Sequence, residues 1–468
     1  MSIKLKFLGA AQNVTGSRHL LEANGTKVLV DCGLYQERQF RERNWEPFTC
    51  PPESLDAVLL THAHLDHCGL LPKLVKEGFK GRIYCTGATA EIAQIILLDS
   101  AHLQEEDAEF KRKRHKREGR KGPRPVEPLY TTADAEACFP QFSGVKYKQP
   151  VEIGAGVEAT FCDAGHVLGS SIIRIKVSLN GQDRTVIFSG DIGRPDRPIV
   201  QDPSIVEQAD YVLIESTYGD RVHQGPEDTK KLIAEVINST IKAGGNIVVP
   251  SFALERSQEL LYYINELRLE NAIPELPVFL DSPMASRITK VFKKHSELYD
   301  EEMNEFVRRN KSPFEFPGLK MAGTSDESKA INHIRKSVMI IAGSGMCTGG
   351  RIKHHLVNNI TKSENTIMFV GYQAVGTLGR RIVDGEEEVR ILGQQYPVNA
   401  RIARINGFSA HADKEELFEW LSELKKPPRK LFVVHGESES ANEFGNYIRE
   451  KTGWDVMVPA YQDEVVLD

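Results

Sequence analysis

The feature that most restricts the fold of this chain is a dense group of metal-binding side chains directly after a short apolar segment. Val58–Leu60 is typical of a buried strand, and it is followed by His62, His64, Asp66 and His67. Side chains two residues apart on an extended strand face the same way, so His62 and His64 can hold one ion together. The next turn presents Asp66 and His67 in the opposite direction, towards a second ion. Imidazole nitrogen and carboxylate oxygen suit Zn²⁺, and this mixed set indicates a catalytic site rather than a closed thiolate site.

Other predicted strands also end in side chains that bind metals. They are followed by Asp31, by Asp163 and His166, by Asp191, by Glu215 and by His435. Taken singly, each of these residues is typical of a helix cap or a turn. Ligands gather at the carboxyl ends of strands in layered sheets, and the glycines that follow several of these residues permit tight turns there. Together the strand ends predict one shared site.

The alternation of short β-branched runs with helical stretches predicts a layered α/β architecture. After about Thr217 the pattern changes to strands separated by helices, which is typical of a parallel sheet. Near Ile402–Gly407 the first pattern returns. With 468 residues the chain has room for two to four domains, and the pattern predicts one domain inserted into another.

Composition limits the class of protein. The seven cysteines are dispersed without a C-x-x-C pair, which favours a reducing cytoplasm over a disulfide framework. No apolar run approaches the length of a membrane span. The net charge of −6 conceals two basic stretches, residues 111–124 with net charge +8 and residues 331–381 with net charge +6. The first is interpreted as a solvated helix end that runs into a loop, with a polyanion contact as the alternative.

The His62–His67 stretch, with Asp31, His166 and Asp191 in order, resembles the metallo-β-lactamase hydrolase superfamily. Glu215, the segment Ser409–Asp413 and His435 resemble its β-CASP nuclease branch, and the nearest likeness is to prokaryotic relatives of the pre-mRNA 3′-end-processing endonuclease. Four further segments match that branch: Pro250–Ala253, Asp281–Ala285, Gly343–Met346 and Gly371–Ala374. The resemblance implies an α/β fold, an αββα metallo-β-lactamase sandwich with an inserted α/β β-CASP domain. Residues 1–217 and 402–468 would form the metallo-β-lactamase domain, and residues 218–401 the β-CASP domain.

The resemblance also implies roles for individual side chains. Two zinc ions per chain would be bound, one by His62, His64 and His166 and the other by Asp66, His67 and His435, with Asp191 bridging them. Asp31 would orient the site, as metal ligands generally need. A hydroxide activated by both metals would attack the phosphodiester. His411, oriented by Glu215, would protonate the leaving oxygen, giving 5′-phosphate and 3′-hydroxyl products.

Substrate contacts are expected in the second basic stretch and beside His411. The glycine-rich loop that begins at Gly343 can cradle phosphate with its backbone, and guanidinium groups grip phosphates in a fork. Ser409 and His411 match positions at which β-CASP exonucleases hold a terminal phosphate. The predicted substrate-binding residues are Ser344, Arg351, Arg380, Arg381 and Ser409.

The expected function is that of a zinc-dependent ribonuclease acting on single-stranded RNA. Endonuclease action is expected, and additional 5′→3′ exonuclease action stays open. The resemblance also implies a homodimer. One alternative is a DNA nuclease of the same branch, whose members commonly lack a histidine at the position of His435. An acyl or thioester hydrolase would need no inserted domain, and a non-catalytic RNA-binding paralogue would have lost metal ligands.

Overall fold

The computed structural model of the protein describes residues 2–119, 125–179, 181–223, 229–309, 312–405 and 407–468. The chain divides into two compact units, one formed by Met1–Val222 with Ala410–Asp468 and the other by His223–Ser409. One unit is therefore inserted into the chain of the other. The boundaries after Val222 and Ser409 lie slightly beyond those predicted at residues 217 and 401.

Most strands of the first unit precede the inserted unit in the chain. Its elements up to the insertion are β1 (Ile3–Gly9), β2 (Arg18–Ala23), β3 (Thr26–Val30), β4 (Ala57–Leu59), α1 (Leu65–Cys68), α2 (Leu71–Lys76), β5 (Arg82–Thr86), α3 (Gly87–Glu118), α4 (Thr132–Cys138), β6 (Phe142–Val145), β7 (Pro150–Gly154), β8 (Val157–Asp163), β9 (Ser171–Leu179), β10 (Gln182–Phe188) and β11 (Tyr211–Ile214).

The inserted unit alternates strands and helices. Its elements are α5 (Thr229–Lys242), β12 (Ile247–Pro250), α6 (Arg256–Leu269), β13 (Val278–Asp281), α7 (Pro283–Lys294), α8 (Glu301–Arg308), β14 (Leu319–Met321), α9 (Ser325–Ile331), β15 (Met339–Ala342), α10 (Ile352–Asn359), β16 (Thr366–Val370), α11 (Leu378–Val383), β17 (Glu388–Ile391), β18 (Gln394–Pro397) and β19 (Arg401–Ile405). The first unit then resumes with α12 (Lys414–Ser422), β20 (Lys430–Val433), α13 (Ser438–Thr452), β21 (Val456–Met457) and β22 (Glu464–Leu467).

The first unit is a sandwich of two seven-stranded sheets, ordered β22-β1-β2-β3-β4-β5-β6 and β21-β20-β11-β10-β9-β8-β7. In β1 the apolar residues alternate with lysines, so one face is buried and the other faces solvent. The core between the sheets is built from the inward residues of both, among them Phe7, Leu21, Val30, Phe161 and Phe188. Within each sheet, β3–β6 and β10, β11, β20 and β21 are parallel, so their carboxyl ends share an edge.

Helices cover the outer faces of this sandwich. On the second sheet, residues of β11 and β20 pack against α12 and α13 through side chains such as Leu417 and Phe444. On the first sheet, α3 contacts β5 and β6. The αββα arrangement that the resemblance implied is therefore present.

The inserted unit has a six-stranded sheet ordered β14-β13-β15-β12-β16-β19, in which all neighbouring strands are parallel. The predicted parallel sheet is thus present. Its strand β19, however, was expected to belong to the sandwich from residue 402 onwards. It pairs with β16 instead, from Thr366↔Arg401 to Val370↔Ile405. A local sequence pattern can predict that a strand forms. Which sheet the strand joins depends on a partner strand far away in the chain, here β16.

No helix among the described residues is both long enough and apolar enough to cross a bilayer.

Candidate metal centre and catalytic dyad

The loop between β4 and α1 presents the densest group of polar side chains. His64 is the extended residue that precedes α1, and Asp66 and His67 lie in the single turn of that helix. His62 and His67 are almost completely buried. The chain thus turns sharply between the pair His62 and His64 and the pair Asp66 and His67, as the spacing predicted, and directs the two pairs to different sides of the turn.

Three histidines and one carboxylate converge in a first group. His64 Nδ1 lies 3.0 Å from His62 Nε2 and 3.2 Å from His166 Nε2. Asp191 Oδ2 lies 3.4 Å from His62 Nε2 and 3.5 Å from His166 Nε2. Ligand atoms around a tetrahedral zinc ion are about 3.3 Å apart, given bonds of about 2.0–2.1 Å. These four side chains can therefore hold one ion.

A second group lies on the other side of Asp191. His67 Nε2 is 3.0 Å from His435 Nε2, and the two nitrogens are 3.2 Å and 3.6 Å from Asp191 Oδ1. Asp66 Oδ2 completes the group at 3.6 Å from His435 Nε2. Asp66, His67 and His435 can hold a second ion. Each oxygen of Asp191 thus faces a different group, which is the geometry of a bridging carboxylate.

The chemistry of these side chains fits a pair of cations. Asp191 Oδ1 is buried and has no hydrogen-bond partner among the described residues. Burial lowers the pKa of His64 to about 4 and, together with neighbouring imidazoles, lowers the pKa of His62 and His166 well below the ordinary value. Neutral imidazoles keep a lone pair for a metal. Nitrogen and carboxylate donors with no thiolate match zinc better than a hard cation such as Mg²⁺.

Asp31 buttresses the second group from behind. Its Oδ2 lies 2.7 Å from Nδ1 of His67, so the opposite ring nitrogen of His67 points towards His435 and Asp191. Burial lowers the pKa of His67, but the carboxylates of Asp191 and Asp31 outweigh this effect and raise it well above the ordinary value. Asp31 therefore lies in the orienting position that the resemblance implied.

Thr61 also supports the metal-binding groups, although the sequence patterns did not predict this role. Its hydroxyl lies 3.0 Å from each oxygen of Asp31, 3.1 Å from His62 Nδ1 and 3.2 Å from His67 Nδ1. Its backbone N–H also donates to Asp31. Thr61 thus connects histidines of both groups. The only signal in the sequence was its position directly before His62.

His411 and Glu215 form a dyad beside the first group. His411 Nδ1 lies 3.1 Å from both carboxylate oxygens of Glu215, which is completely buried. The backbone N–H of Ile192 donates to Glu215 at 2.7 Å and holds the carboxylate in place. His411 Nε2 lies 3.9 Å from Asp191 Oδ2, and its side chain is one-fifth exposed. This ring can therefore reach a substrate that lies over the metal groups.

The charge of His411 follows from its neighbours. Burial lowers its pKa, but the charge of Glu215 and then that of Asp191 outweigh burial and raise the pKa to about 9. A bridge between Gly193 and His411 anchors the backbone close to Asp191. A protonated imidazole held next to the metal groups is suited to proton donation.

The predicted substrate-binding residues have different surroundings. Ser344 Oγ accepts from the backbone of Thr348 and stabilises its own loop after β15. The guanidinium of Arg351 donates to Asp281 at 2.6 Å and to two backbone carbonyls, those of Ala322 and Gly323. Arg351 is therefore a structural residue of the inserted unit, and its predicted role as a phosphate ligand is not supported.

Arg380 and Arg381 are half-exposed and pair with acids of the same segment. Arg380 contacts Asp384 and Arg381 contacts Glu386. Exposed ion pairs of this kind contribute little to stability, so these guanidiniums can exchange their partners for phosphate. Their role as substrate contacts, and that of Ser409, stays a prediction.

The first basic stretch continues α3 beyond the core. Residues 111–118 form its last turns, and Gly119 follows in the left-handed conformation that ends the helix. Lys111 and Lys113 pair with Asp107 and Glu109 one turn earlier. Residues 111–118 thus form an exposed helix end, as interpreted from the sequence, while the alternative of a polyanion contact stays a prediction. Residues 120–124 lie outside the described part of the chain.

The buried carboxyl group of Asp163, at the end of β8, is expected to make the stability of the folded protein depend on pH. Burial raises its pKa to about 7 from an unfolded value of 3.8. A raised carboxyl pKa means that the folded state binds the proton more tightly, so this residue costs stability increasingly as pH rises from about 4 to about 7. Asp163→Asn is expected to raise the melting temperature by roughly 2–4 °C more at pH 8 than at pH 5.5. The control is Glu158→Gln on the exposed face of the same strand, and an equal shift at both pH values would contradict the prediction.

The fold and this site together define a metal-dependent hydrolase. Sequence models of three families match in order: the metallo-β-lactamase superfamily domain at residues 20–192, the Beta-Casp domain at residues 257–382 and the Zn-dependent metallo-hydrolase RNA specificity domain at residues 395–459. The chain is 38% identical over 442 residues to "Ribonuclease TTHA0252" of Thermus thermophilus, which covers 94% of each chain. It belongs to the β-CASP branch of the metallo-β-lactamase superfamily.

Two further comparisons agree with this assignment. "Transcription termination factor FttA" of Methanocaldococcus jannaschii is 30% identical over 476 residues, which covers 99% of this chain and 71% of the relative. A crystal structure of a protein of unknown function from Enterococcus faecalis V583 matches with a TM-score of 0.58 over 100% of both chains, at 12% identity. At that identity the second similarity supports the fold alone.

Proposed function

We propose that the protein is a zinc-dependent ribonuclease that hydrolyses phosphodiesters of single-stranded RNA with two zinc ions per chain. The observation that carries this proposal is Asp191, whose two oxygens face separate groups of imidazoles while His411 Nε2 lies 3.9 Å away. RNA as the substrate is supported by the matched RNA specificity domain and by the ribonuclease among the relatives.

The metal ligands would be those named from the resemblance, with Asp191 shared between the two ions. Bound zinc supplies positive charge for the phosphoryl oxygens and a nucleophile at neutral pH. Asp31 and Thr61 keep the ring of His67 oriented towards its ion. Asp66, from the first turn of α1, would complete the second group with Oδ2, which lies 3.6 Å from His435 Nε2.

His411 would act as the general acid. The attacking water would first release one proton to solvent. As its oxygen then bonds to phosphorus, the bond from phosphorus to the 3′-oxygen breaks, and this leaving oxygen needs a proton. His411 donates it from Nε2, while Glu215 accepts a hydrogen bond from Nδ1 and stabilises the cationic ring. One product then carries a 5′-phosphate and the other a 3′-hydroxyl.

One set of assays tests whether the protein cleaves RNA or DNA and whether it cleaves at internal sites or from an end. The protein loaded with zinc is incubated with single-stranded RNA, single-stranded DNA and duplexes of one sequence, each labelled at the 5′ or the 3′ end. We expect cleavage of single-stranded RNA at internal sites, seen as intermediate-length fragments from both labels. Early release of mononucleotides from the 5′ label alone would indicate 5′→3′ exonuclease action.

The control for these assays is the variant Asp191→Asn prepared in parallel, because it reports contaminating nucleases. Cleavage of DNA at the same rate as RNA would contradict the proposed substrate and favour the DNA nuclease alternative. Binding of RNA without cleavage, by protein that contains two zinc ions, would favour a non-catalytic RNA-binding role.

A further inference from the structure

His19 is a polar residue at an apolar position behind the metal groups. It lies on β2, where it pairs with Phe7 of β1 and Val30 of β3. Its ring is only 4% exposed and lies 5.7 Å from the ring of Phe7 and 6.3 Å from that of Phe188, measured between centroids. The neighbouring core between the sheets is built from apolar side chains.

A histidine at this position costs stability that an apolar residue would not. Nδ1 of His19 is buried and has no hydrogen-bond partner among the described residues. A buried polar atom without a protein partner is unfavourable unless a buried water molecule satisfies it. Burial, followed by the charges of His435 and His67, lowers the pKa of His19 to about 3, so the ring is neutral. Packing alone therefore gives no reason for an imidazole here.

A small cavity connects His19 with the metal groups. Its volume is about 20 Å³, and its lining includes His19, Thr61, His67, Ser189 and His435. A cavity of this size has room for one water molecule, and a buried water requires two to four polar partners. Nδ1 of His19, the hydroxyls of Thr61 and Ser189 and the carboxylate of Asp31 line the cavity as candidate partners.

We propose that His19 is a positioning residue of the metal centre. Its imidazole binds one buried water in this cavity, and the same water contacts the groups that orient His67 and His435. Both histidines line the cavity, as do Asp31 and Thr61, which contact Nδ1 of His67 directly. The water would hold the rings of His67 and His435 in place from the side that faces away from the ions. This inference rests on the metal ligands of the proposed function and does not depend on RNA as the substrate.

The test compares the metal affinity and the metal-free stability of His19→Leu. The leucine replaces the imidazole by an apolar side chain of similar bulk. We expect the metal-free melting temperature to stay equal or rise, because the apolar side chain has no polar atom that needs a buried water. Zinc affinity, measured by competition with a chelator, is expected to fall roughly 10–100-fold, as for other groups that support metal ligands. A purely structural residue would give a lower melting temperature with unchanged affinity.

Two further variants and one spectrum sharpen this test. His19→Gln can still bind a water and is expected to recover part of the zinc affinity. Leu21→Val, two residues along β2 and further from the ligands, is the packing control and is expected to keep wild-type affinity. In protein loaded with Co²⁺, His19→Leu should change the visible absorption bands, and Leu21→Val should not. A crystal structure of the wild-type protein should contain one water within hydrogen-bond distance of His19.

The outcomes separate this inference from the proposed function. If His19→Leu binds zinc as tightly as the wild type and leaves the cobalt spectrum unchanged, the positioning role is wrong. A dry cavity in the crystal structure would also overturn it. If the wild type binds zinc and His19→Leu weakens that binding, but no RNA is cleaved, the proposed function fails while this inference stands.

Discussion

Asp191→Asn is expected to remove zinc from the protein and to abolish RNA cleavage. The amide nitrogen of asparagine cannot ligate an ion, so one of the two groups of histidines loses its shared ligand. Removing groups that merely support ligands costs about 10–100-fold, so losing a bridging ligand should cost more than about 100-fold in activity. Metal analysis of the dialysed variant should find less than the two zinc ions expected for the wild type.

The matched control is Asp183→Asn, the same chemical change at the exposed end of β10. It should keep both zinc content and cleavage rate. Thermal unfolding of the metal-free proteins checks that neither change disrupts the sandwich. Full zinc content and near wild-type cleavage in Asp191→Asn would contradict the bridging role.

His411→Ala is expected to lower kcat by about 10²–10⁴-fold while zinc stays bound. The ring contacts Glu215 and lies near Asp191, and it does not belong to either group of candidate ligands. The change should affect kcat rather than KM, because the proton is needed only as the bond to the leaving group breaks. His102→Ala, an exposed histidine on α3, is the control.

The role of His411 as an acid can be isolated with a modified RNA. A linkage in which sulfur replaces the 3′-oxygen has a leaving group that needs no proton. His411→Ala should therefore cleave this linkage at nearly the rate of the wild type. A defect of equal size on both substrates would assign His411 a different role.

Glu215→Gln tests the other half of the dyad through pH. The charge of Glu215 is the largest of the effects that raise the pKa of His411 to about 9. Without that charge the imidazolium loses its proton at lower pH, so the alkaline limb of kcat should move to lower pH. An unchanged limb would show that another group controls it.

Much of the fold was predictable because it depends on local patterns. The alternation of short β-branched runs with helical stretches predicted the layered α/β architecture, and the strands separated by helices after Thr217 predicted the parallel sheet of the inserted unit. The basic end of α3 was predictable from the charges and from the glycine at its end. These features arise from neighbouring residues, whose periodicity and turn chemistry can be read directly.

Other features could not be predicted, since they depend on partners far away in the chain. Arg351 was expected to bind phosphate, but Asp281 takes its guanidinium. The residues of β19 were expected in the sandwich, but they pair with β16. Basic charge and strand propensity are properties of single segments, whereas the identity of a partner is a property of the packed chain.

The sequence by itself determined the kind of chemistry. His62, His64, Asp66 and His67 lie within six residues, so the local turn alone directs them to two sides. Only the tertiary structure decided what completes the two groups. His435 is 368 residues from His67 in the chain, and yet their Nε2 atoms lie 3.0 Å apart. Burial between two sheets then keeps the imidazoles of His62, His64 and His166 neutral and gives each oxygen of Asp191 a separate group to face, because a desolvated interior penalises charge and excludes water from the donors.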